Sequence, residues 1–297
     1  MGIEQIKKIG VVGSGLMGAQ IAEVASRVGE YPVTMWDMSD ELLQKGHEAI
    51  RNTHKRFFIE KGKLTAQQSE EIIARIKGTT DMAEVAASDF IIEAIVERMP
   101  IKQKVFKQLD ELAPAHTCLS TNTSYLNVSD IASATQRPDR VVGTHFFNPP
   151  AMMKLLEVIR GTLTSEATAQ LAVELGIKLG KEPVLCKDVS YGFIANRTFR
   201  AMRNEAVRLV WERVATPRDI DKAMKLGFNH PMGPLELSDM TGGWGIAVSS
   251  EEDAIRELGP VEGRVPQLIK VMVRAGYPGG RGKKGMYAFY DEVFSKW

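Results

Sequence analysis

Three glycines near the beginning of the chain have the spacing of a nucleotide-binding loop, G-x-G-x-x-G. They are Gly13, Gly15 and Gly18, and they follow a short apolar run and open a stretch with helical periodicity. In such a turn the first glycine allows a tight bend, the second lets the backbone approach a pyrophosphate, and the third allows helix and strand to pack closely. The amide groups at the start of the helix then face the anion. The chemistry predicted here is dinucleotide binding.

The choice of dinucleotide depends on Asp37, at the end of the second predicted strand. A carboxylate there can accept hydrogen bonds from both ribose hydroxyls and would repel a 2′-phosphate. Met38 and Ser39 follow, with no arginine immediately beside Asp37. NAD is therefore favoured over NADP as the cofactor. The alternatives are FAD or another nucleotide, and a glycine-rich turn that binds nothing.

A second group of polar residues follows later strands and could carry proton transfer. Ser124 comes shortly after one predicted strand, His145 after the next, and Glu157 lies twelve residues beyond His145 within an apolar run. Oxidation of an alcohol by NAD needs a base for the hydroxyl proton, and histidine has a suitable intrinsic pKa of about 6.5. A carboxylate on the other ring nitrogen would fix the tautomer and stabilise the imidazolium. His145 and Glu157 could form that pair; the alternative is a core histidine and a salt-bridged glutamate.

The elements that must position these residues are short strands alternating with helical patterns. The predicted strands are residues 9–12, 33–36, 90–92, 117–119, 141–142 and 155–159, and helical spacing is clear at residues 19–28 and 101–112. Such alternation predicts βαβ units and a doubly wound, mostly parallel α/β sheet of the Rossmann type. Ligands bind outside the carboxyl ends of strands in these sheets, where the polar residues lie.

One connection, residues 39–80, is long enough to hold an inserted helical hairpin. Ser39 is a suitable N-cap for the first helix, residues 61–63 (KGK) break the pattern, and Thr65 with Gln68 forms a capping box for the second helix. The hairpin is expected to extend the sheet domain and could project over a ligand.

From residue 191 onward the β signals stop. Helical patterns cover residues 193–214, 217–226 and 265–274, with Gly227, Pro231, Gly233 and Pro234 between them. The prediction is a dinucleotide-binding domain at residues 1–190 and an all-helical domain for substrate binding and dimerisation at residues 191–297.

Composition agrees with two ordinary globular domains, since 297 residues suggest about two. Lys and Arg total 38 against 37 Asp and Glu, a near-neutral balance that argues against nucleic acid as a partner. Two cysteines are too few for a disulfide framework. No signal peptide, membrane span or metal-binding motif is predicted, and the expected location is the cytoplasm.

Seven motifs in fixed order resemble those of the L-3-hydroxyacyl-CoA dehydrogenases, particularly the monofunctional 3-hydroxybutyryl-CoA dehydrogenases. They are residues 13–22 (GSGLMGAQIA), 93–97 (EAIVE), 122–124 (NTS), 145–149 (HFFNP), 154–159 (KLLEVI), 192–197 (GFIANR) and 231–239 (PMGPLELSD). The resemblance covers essentially the whole chain. It implies reversible, NAD-dependent oxidation of an L-3-hydroxyacyl-CoA to a 3-ketoacyl-CoA, with a short acyl chain expected.

The resemblance also implies roles for individual residues. His145 matches the catalytic histidine and Glu157 its carboxylate partner, while Ser124 and Asn196 match residues that contact the substrate. The positions that match cofactor contacts are Gly13, Gly15, Leu16, Met17, Gly18, Asp37, Glu97, Lys102, Ser124, Asn148 and Lys284.

The chain departs from the family pattern at several positions. Tyr125 replaces a second serine, and residues 240–244 (MTGGW) differ from the usual run. On the helical hairpin, Lys55 and Arg56 are the candidates for the CoA phosphates, although a solvated helix face is the alternative.

Rival functions and the assembly are also defined by particular residues. A β-hydroxyacid dehydrogenase would need a lysine where Asn196 and Arg197 stand, and a non-catalytic relative would have no reason to keep the whole polar set.

The resemblance implies a homodimer formed through the helical domain, with Trp211, Trp244 and Trp297 at the interface or in the domain core.

Overall fold

The computed structural model describes residues 2–189 and 191–297, and the chain divides into two compact units between residues 189 and 190. The predicted boundary at residue 190 falls on a residue outside the described ranges. The first unit is an α/β domain and the second is built from helices.

An eight-stranded sheet forms the centre of the first unit, in the spatial order β3-β2-β1-β4-β5-β6-β7-β8. The strands are β1 (Ile9–Val12), β2 (Val33–Trp36), β3 (Ile76–Thr79), β4 (Phe90–Glu93), β5 (Cys118–Thr121), β6 (Val141–Phe146), β7 (Leu155–Arg160) and β8 (Glu182–Lys187). Strands β1 to β6 are mutually parallel, β7 runs antiparallel to β6, and β8 is parallel to β7. This topology confirms the doubly wound, mostly parallel class.

Helices connect the strands of this unit. They are α1 (Leu16–Arg27), α2 (Asp40–His54), α3 (Ala66–Ala74), α4 (Met82–Ala86), α5 (Met99–Leu112), α6 (Val128–Ala132) and α7 (Glu166–Lys178). Strands β1, β4, β5 and β6 are buried along their whole length, as expected for strands covered on both faces.

Two strands were not predicted, and one predicted strand is longer than expected. β3 lies at the end of the segment that was interpreted as only a helical hairpin, and β8 follows α7. Both are edge strands, and their exposed and half-buried residues weaken the apolar signal. β6 continues through Phe146, so His145 lies within the strand and does not follow it.

The glycine loop joins β1 to α1 as predicted. Gly13 has a φ of +102°, a backbone conformation that L side chains rarely adopt. A Cβ on Gly18 would collide with the carbonyl oxygen of Gly13, so the third glycine is needed for the helix to begin this close to the strand. Around Gly15 there is open space instead, with nothing within 4 Å of the position a Cβ would take.

The hairpin forms with the predicted caps. Ser39 Oγ accepts a hydrogen bond from the Leu42 amide at the start of α2, and Thr65 with Gln68 forms the capping box of α3. After His54 the helix continues as a π-helical turn over Lys55–Ile59. The hairpin packs on α1 through buried polar contacts, because His54 lies between Glu23 of α1 and Ser69 of α3.

The second unit contains helices and, in its described residues 191–297, no strand. The helices are α8 (Ala195–Trp211), α9 (Pro217–Phe228), α10 (Pro234–Thr241), α11 (Gly243–Ser249), α12 (Glu251–Glu262), α13 (Gln267–Arg274) and α14 (Met286–Glu292). They enclose a core that includes Val207, Trp244, Ile269 and Phe289. Trp244 is therefore a core residue, whereas Trp211 and Trp297 are exposed.

Candidate functional site

The candidate site of the first unit lies at the carboxyl ends of its parallel strands. The residues that end or directly follow these strands are Gly13 after β1, Asp37 after β2, Glu93 at the end of β4, Asn122 after β5 and His145 near the end of β6. Because these strand ends share one edge of the sheet, the fold gathers residues that are far apart in sequence.

Asp37 is held by the glycine loop itself. Its Oδ2 atom accepts hydrogen bonds from the backbone amide and the hydroxyl of Ser14, both at 2.7 Å, and Oδ1 accepts from the Met38 amide at 2.7 Å. The carboxylate is thus fixed beside the open space at Gly15. Leu16, the first residue of α1, is exposed there. An open glycine, a helix N-terminus and an anchored acid suit the pyrophosphate and ribose of NAD.

His145 and Glu157 form a direct cross-strand pair. They are partners in the antiparallel register of β6 and β7, and His145 Nδ1 lies 2.7 Å from Glu157 Oε2. Both side chains are almost fully buried. The predicted pairing is therefore present in the structure, and it is produced by strand register because directly opposite residues project from the same face of the sheet.

Asn122 connects the loop after β5 to the strand that carries His145. The Phe146 amide donates a hydrogen bond to Asn122 Oδ1 at 2.8 Å. The ladder between these two strands stops at the Thr121–Gly143 pair, so the Asn122 side chain supplies an acceptor beyond the end of β5. Ser124, two residues further on, is half-buried in the same loop.

Glu97 and Lys102 belong to a polar network that also includes the unpredicted Glu93. Lys102 Nζ lies 2.6 Å from Glu93 Oε1 and 3.3 Å from Glu97 Oε2. The Ser124 amide donates to Glu97 Oε1 at 2.8 Å. The spacing within residues 93–97 (EAIVE) was the available signal for Glu93, since its acid ends an otherwise apolar strand.

Other predicted site residues lie elsewhere in the chain. Asn148 is exposed in the loop after β6, and Lys55 and Arg56 are exposed in the π-helical turn of the hairpin. Asn196 is half-buried in the first turn of α8 in the second unit. Lys284, also in the second unit, forms an exposed ion pair with Glu292, with Nζ–O distances of 2.8 and 2.9 Å.

The thiol of Cys186 is poorly suited to nucleophilic chemistry. Burial raises the pKa of the half-buried Cys186 thiol to about 11, and the charges of Glu157 and Asp188 act in the same direction. This thiol is therefore protonated at neutral pH and is a poor nucleophile. Within residues 2–189 and 191–297, no three His, Cys, Asp or Glu side chains form a group that could hold a metal ion.

The fold and the site together define a class of protein. A glycine-rich βα turn, an anchored acid after β2 and a buried histidine–carboxylate pair at one sheet edge are the parts of a Rossmann-type, NAD-dependent oxidoreductase. Comparison with known proteins narrows this class to one family.

The two units of the chain match the two domains of that family. Residues 8–189 match the 3-hydroxyacyl-CoA dehydrogenase NAD binding domain, and residues 192–289 match the 3-hydroxyacyl-CoA dehydrogenase C-terminal domain. The chain belongs to the 3-hydroxyacyl-CoA dehydrogenase family, and its cofactor is NAD.

Individual relatives agree over most of the length. The chain is 42% identical over 289 residues to a probable 3-hydroxybutyryl-CoA dehydrogenase of Bacillus subtilis (strain 168), covering 97% of this chain and 99% of that protein. It is 43% identical over 242 residues to human mitochondrial hydroxyacyl-coenzyme A dehydrogenase, covering 80% and 76%. The crystal structure of (S)-3-hydroxybutyryl-CoA dehydrogenase from Ralstonia eutropha superposes with a TM-score of 0.89 at 39% identity, covering 95% and 99%. The chain is thus an NAD-dependent dehydrogenase of hydroxyacyl-CoA substrates.

None of the helices in the described ranges is both long and apolar enough to cross a bilayer.

Proposed function

We propose that the chain interconverts a short-chain L-3-hydroxyacyl-CoA, such as 3-hydroxybutyryl-CoA, and the corresponding 3-ketoacyl-CoA, with His145 as general acid and base. The buried His145–Glu157 pair, 2.7 Å apart at the carboxyl edge of the sheet, is the observation that carries this proposal. The names of the Bacillus and Ralstonia relatives, both 3-hydroxybutyryl-CoA dehydrogenases, support the short acyl chain.

His145 handles the proton of the 3-hydroxyl group. When bound, NAD⁺ accepts the hydride that leaves C3 of the substrate. The hydroxyl proton passes to His145 Nε2 as the C3–O bond becomes a carbonyl, because Glu157 holds Nδ1 on the opposite side of the ring. Glu157 keeps its negative charge beside the imidazolium and stabilises it, and the reverse reaction returns the same proton to the 3-oxygen.

The residues proposed to hold the cofactor fall into two sets. Asp37 and the loop residues Gly13, Gly15, Leu16, Met17 and Gly18 serve the adenosine and pyrophosphate end, which the open space at Gly15 supports. Glu97, Lys102, Ser124, Asn148 and Lys284 serve the nicotinamide end. For all but Lys284 the support is their position in the loops and helix that follow β4, β5 and β6.

The residues proposed to hold the substrate are Ser124 and Asn196 for the oxygen and thioester end and Lys55 and Arg56 for the CoA phosphates. Lys55 and Arg56 are exposed in a π-helical turn, a distortion that is frequent at functional sites. The Arg56 guanidinium lies 5.0 Å from the centre of the Phe57 ring, so a cation and an aromatic face are presented together.

The activity is tested by following NADH absorbance with acetoacetyl-CoA and with longer 3-ketoacyl-CoAs, and by repeating the assay with NADPH. We expect the highest kcat/KM with acetoacetyl-CoA and NADH, because Asp37 repels a 2′-phosphate. Turnover restricted to long-chain thioesters or to NADPH would contradict the proposal.

The role of the hairpin is tested by the double variant Lys55→Ala/Arg56→Ala. We expect KM for acetoacetyl-CoA to rise about tenfold, because two phosphate contacts are lost, while the Kd of NADH stays unchanged. Lys45→Ala is the matched control, since Lys45 is exposed on α2 but pairs with Glu41. An unchanged KM in the double variant would leave these two residues as a solvated helix face.

A homodimer is also proposed, formed through the helical unit. Trp211, Val214, Leu226, Phe228 and Val261 of this unit expose apolar side chains. A groove of about 1000 Å³ is lined by residues that include Val207, Trp211 and Val261. Light scattering at micromolar concentration should give twice the chain mass, and a monomer would refute the proposal. The cytoplasmic location stays a prediction from the sequence.

A further inference from the structure

Lys102 is a buried cation whose charge is shared by two carboxylates. It lies on α5 with 1% of its side chain exposed, and its ammonium contacts Glu93 at 2.6 Å and Glu97 at 3.3 Å. A buried ammonium is costly unless it is paired and hydrogen-bonded, so these two contacts fix where it can lie.

Glu93 is the more rigid of the two carboxylates. It is fully buried at the end of β4, and besides Lys102 it accepts hydrogen bonds from the Ile95 amide and the Thr121 hydroxyl, both at 2.7 Å. Glu93 therefore joins the turn after β4, the end of β5 and helix α5 at one point.

Glu97 connects Lys102 to the loop that carries Ser124. Its Oε1 atom accepts hydrogen bonds from the Thr123 hydroxyl at 2.5 Å, the Ser124 amide at 2.8 Å and the Tyr125 amide at 3.2 Å. Its Oε2 atom contacts Lys102. A continuous series of polar contacts thus runs from Glu93 through Lys102 and Glu97 to the backbone of Ser124.

We infer that Glu93 is a positioning residue for the reaction: by holding the Lys102 ammonium it sets the orientation of Glu97, and Glu97 sets the Ser124 loop. The inference rests on the proposed function, which gives Ser124 and Lys102 contacts with the substrate and NAD. Replacing the Glu93 carboxylate with an amide leaves Glu97 as the only negative partner of Lys102. The ammonium is then drawn toward Glu97, and the hydrogen bonds that Glu97 accepts from the loop weaken.

The test compares Glu93→Gln with Glu23→Gln. Glu23 is also fully buried in the first unit and also pairs with cationic or imidazole groups, Arg27 and His54, but it lies in α1 between helices. Four quantities are measured on each purified protein: the melting temperature, the Kd of NADH from fluorescence, and kcat and KM with acetoacetyl-CoA.

Both variants should lower the melting temperature, since each disturbs a buried ion pair. Only Glu93→Gln should raise the Kd of NADH and lower kcat, each by about tenfold, the scale of a hydrogen bond to a charged group. The inference is overturned if folded Glu93→Gln keeps the wild-type Kd and kcat, or if Glu23→Gln loses them equally.

Thr121→Val provides a second route if Glu93→Gln does not fold. This nearly isosteric change removes the hydroxyl that donates to Glu93, so it should raise the Kd of NADH in the same direction by a smaller factor. An unchanged Kd would overturn the inference. The NADH measurement also separates the two proposals, because it remains informative even if the wild-type chain fails to reduce acetoacetyl-CoA.

Discussion

Two buried histidine–glutamate pairs lie in the first unit, and they differ in what surrounds them. His145 Nδ1 contacts Glu157 at 2.7 Å, and His54 Nε2 contacts Glu23 at 3.0 Å. All four side chains are nearly or fully buried. Residue type, distance and burial therefore do not distinguish the pair proposed to be catalytic from the pair that joins helices.

Position in the topology does separate them. His145 and Glu157 project from neighbouring strands near the carboxyl ends of the parallel strands, where ligands bind in sheets of this class. His54 joins three helices, because its Nδ1 atom also contacts Ser69 of α3 at 2.8 Å while Glu23 belongs to α1 and also pairs with Arg27. The His54–Glu23 pair therefore stabilises the packing of the hairpin on α1.

The largest difference is expected in turnover. His145→Gln should lower kcat by about 1000-fold, because no group remains to exchange the hydroxyl proton, while the Kd of NADH stays close to wild type. His54→Gln should keep the wild-type kcat when folded. Steady-state kinetics on both proteins check this, and equal losses in the two variants would erase the functional distinction.

Stability should depend on the pair that joins the hairpin to α1. His54→Gln is expected to lower the free energy of unfolding by about 3 kcal/mol, because Glu23 and Ser69 lose a buried partner that joins α1 to the hairpin. Denaturant titration measures the loss, with Lys45→Ala as an exposed control on the same helix. A midpoint unchanged from wild type would show that the three-helix contact contributes nothing.

Substitution of the carboxylate in each pair, Glu157 or Glu23, tests the comparison further. Glu157→Gln should lower kcat by about 100-fold and alter its dependence on pH, because an amide cannot stabilise the imidazolium. Glu23→Gln should leave the shape of the pH–rate profile unchanged. If the Glu157→Gln profile matches that of the wild type, Glu157 acts only in packing.

The smallest effect concerns acid stability. Burial alone would raise the pKa of Glu23, but hydrogen bonds from His54 and Arg27 hold it below the usual value of 4.5. An acid with a lowered pKa contributes stability above its unfolded pKa, and this is lost as the pH falls through the folded value. The difference in melting temperature between wild type and Glu23→Gln should therefore stay constant from about pH 7 to about pH 5 and shrink as the pH falls below the unfolded value of 4.5. A difference that stayed constant below that pH would contradict this linkage.

The sequence predicted the centre of the sheet better than its edges. The apolar runs of β1, β2 and β4 were predicted to within one residue, because buried parallel strands leave a continuous hydrophobic signal. β3 and β8 were missed because residues such as Lys77 and Glu182 are exposed there.

Site prediction had a similar limit. The spacing of His145 and Glu157 left their pairing open, and the family resemblance implied it; the register of β6 and β7 brings the two side chains together. Glu93 and Asn122 act through side-chain contacts that depend on which strand ends become neighbours. The pairing of His54 with Glu23 comes from helix packing, which residue spacing does not determine.

The antiparallel register of β6 and β7 has a consequence for sequence drift. The loop of residues 147–154 joins the two strands, yet the His145–Glu157 distance is set by the pairing of β6 with β7 and not by the loop. Insertions or deletions in the loop can change its shape without separating the two side chains. A slip of one residue in the ladder would instead turn Glu157 to the other face of the sheet. The His145–Glu157 pairing can therefore survive length changes in the connection but not in the strands themselves.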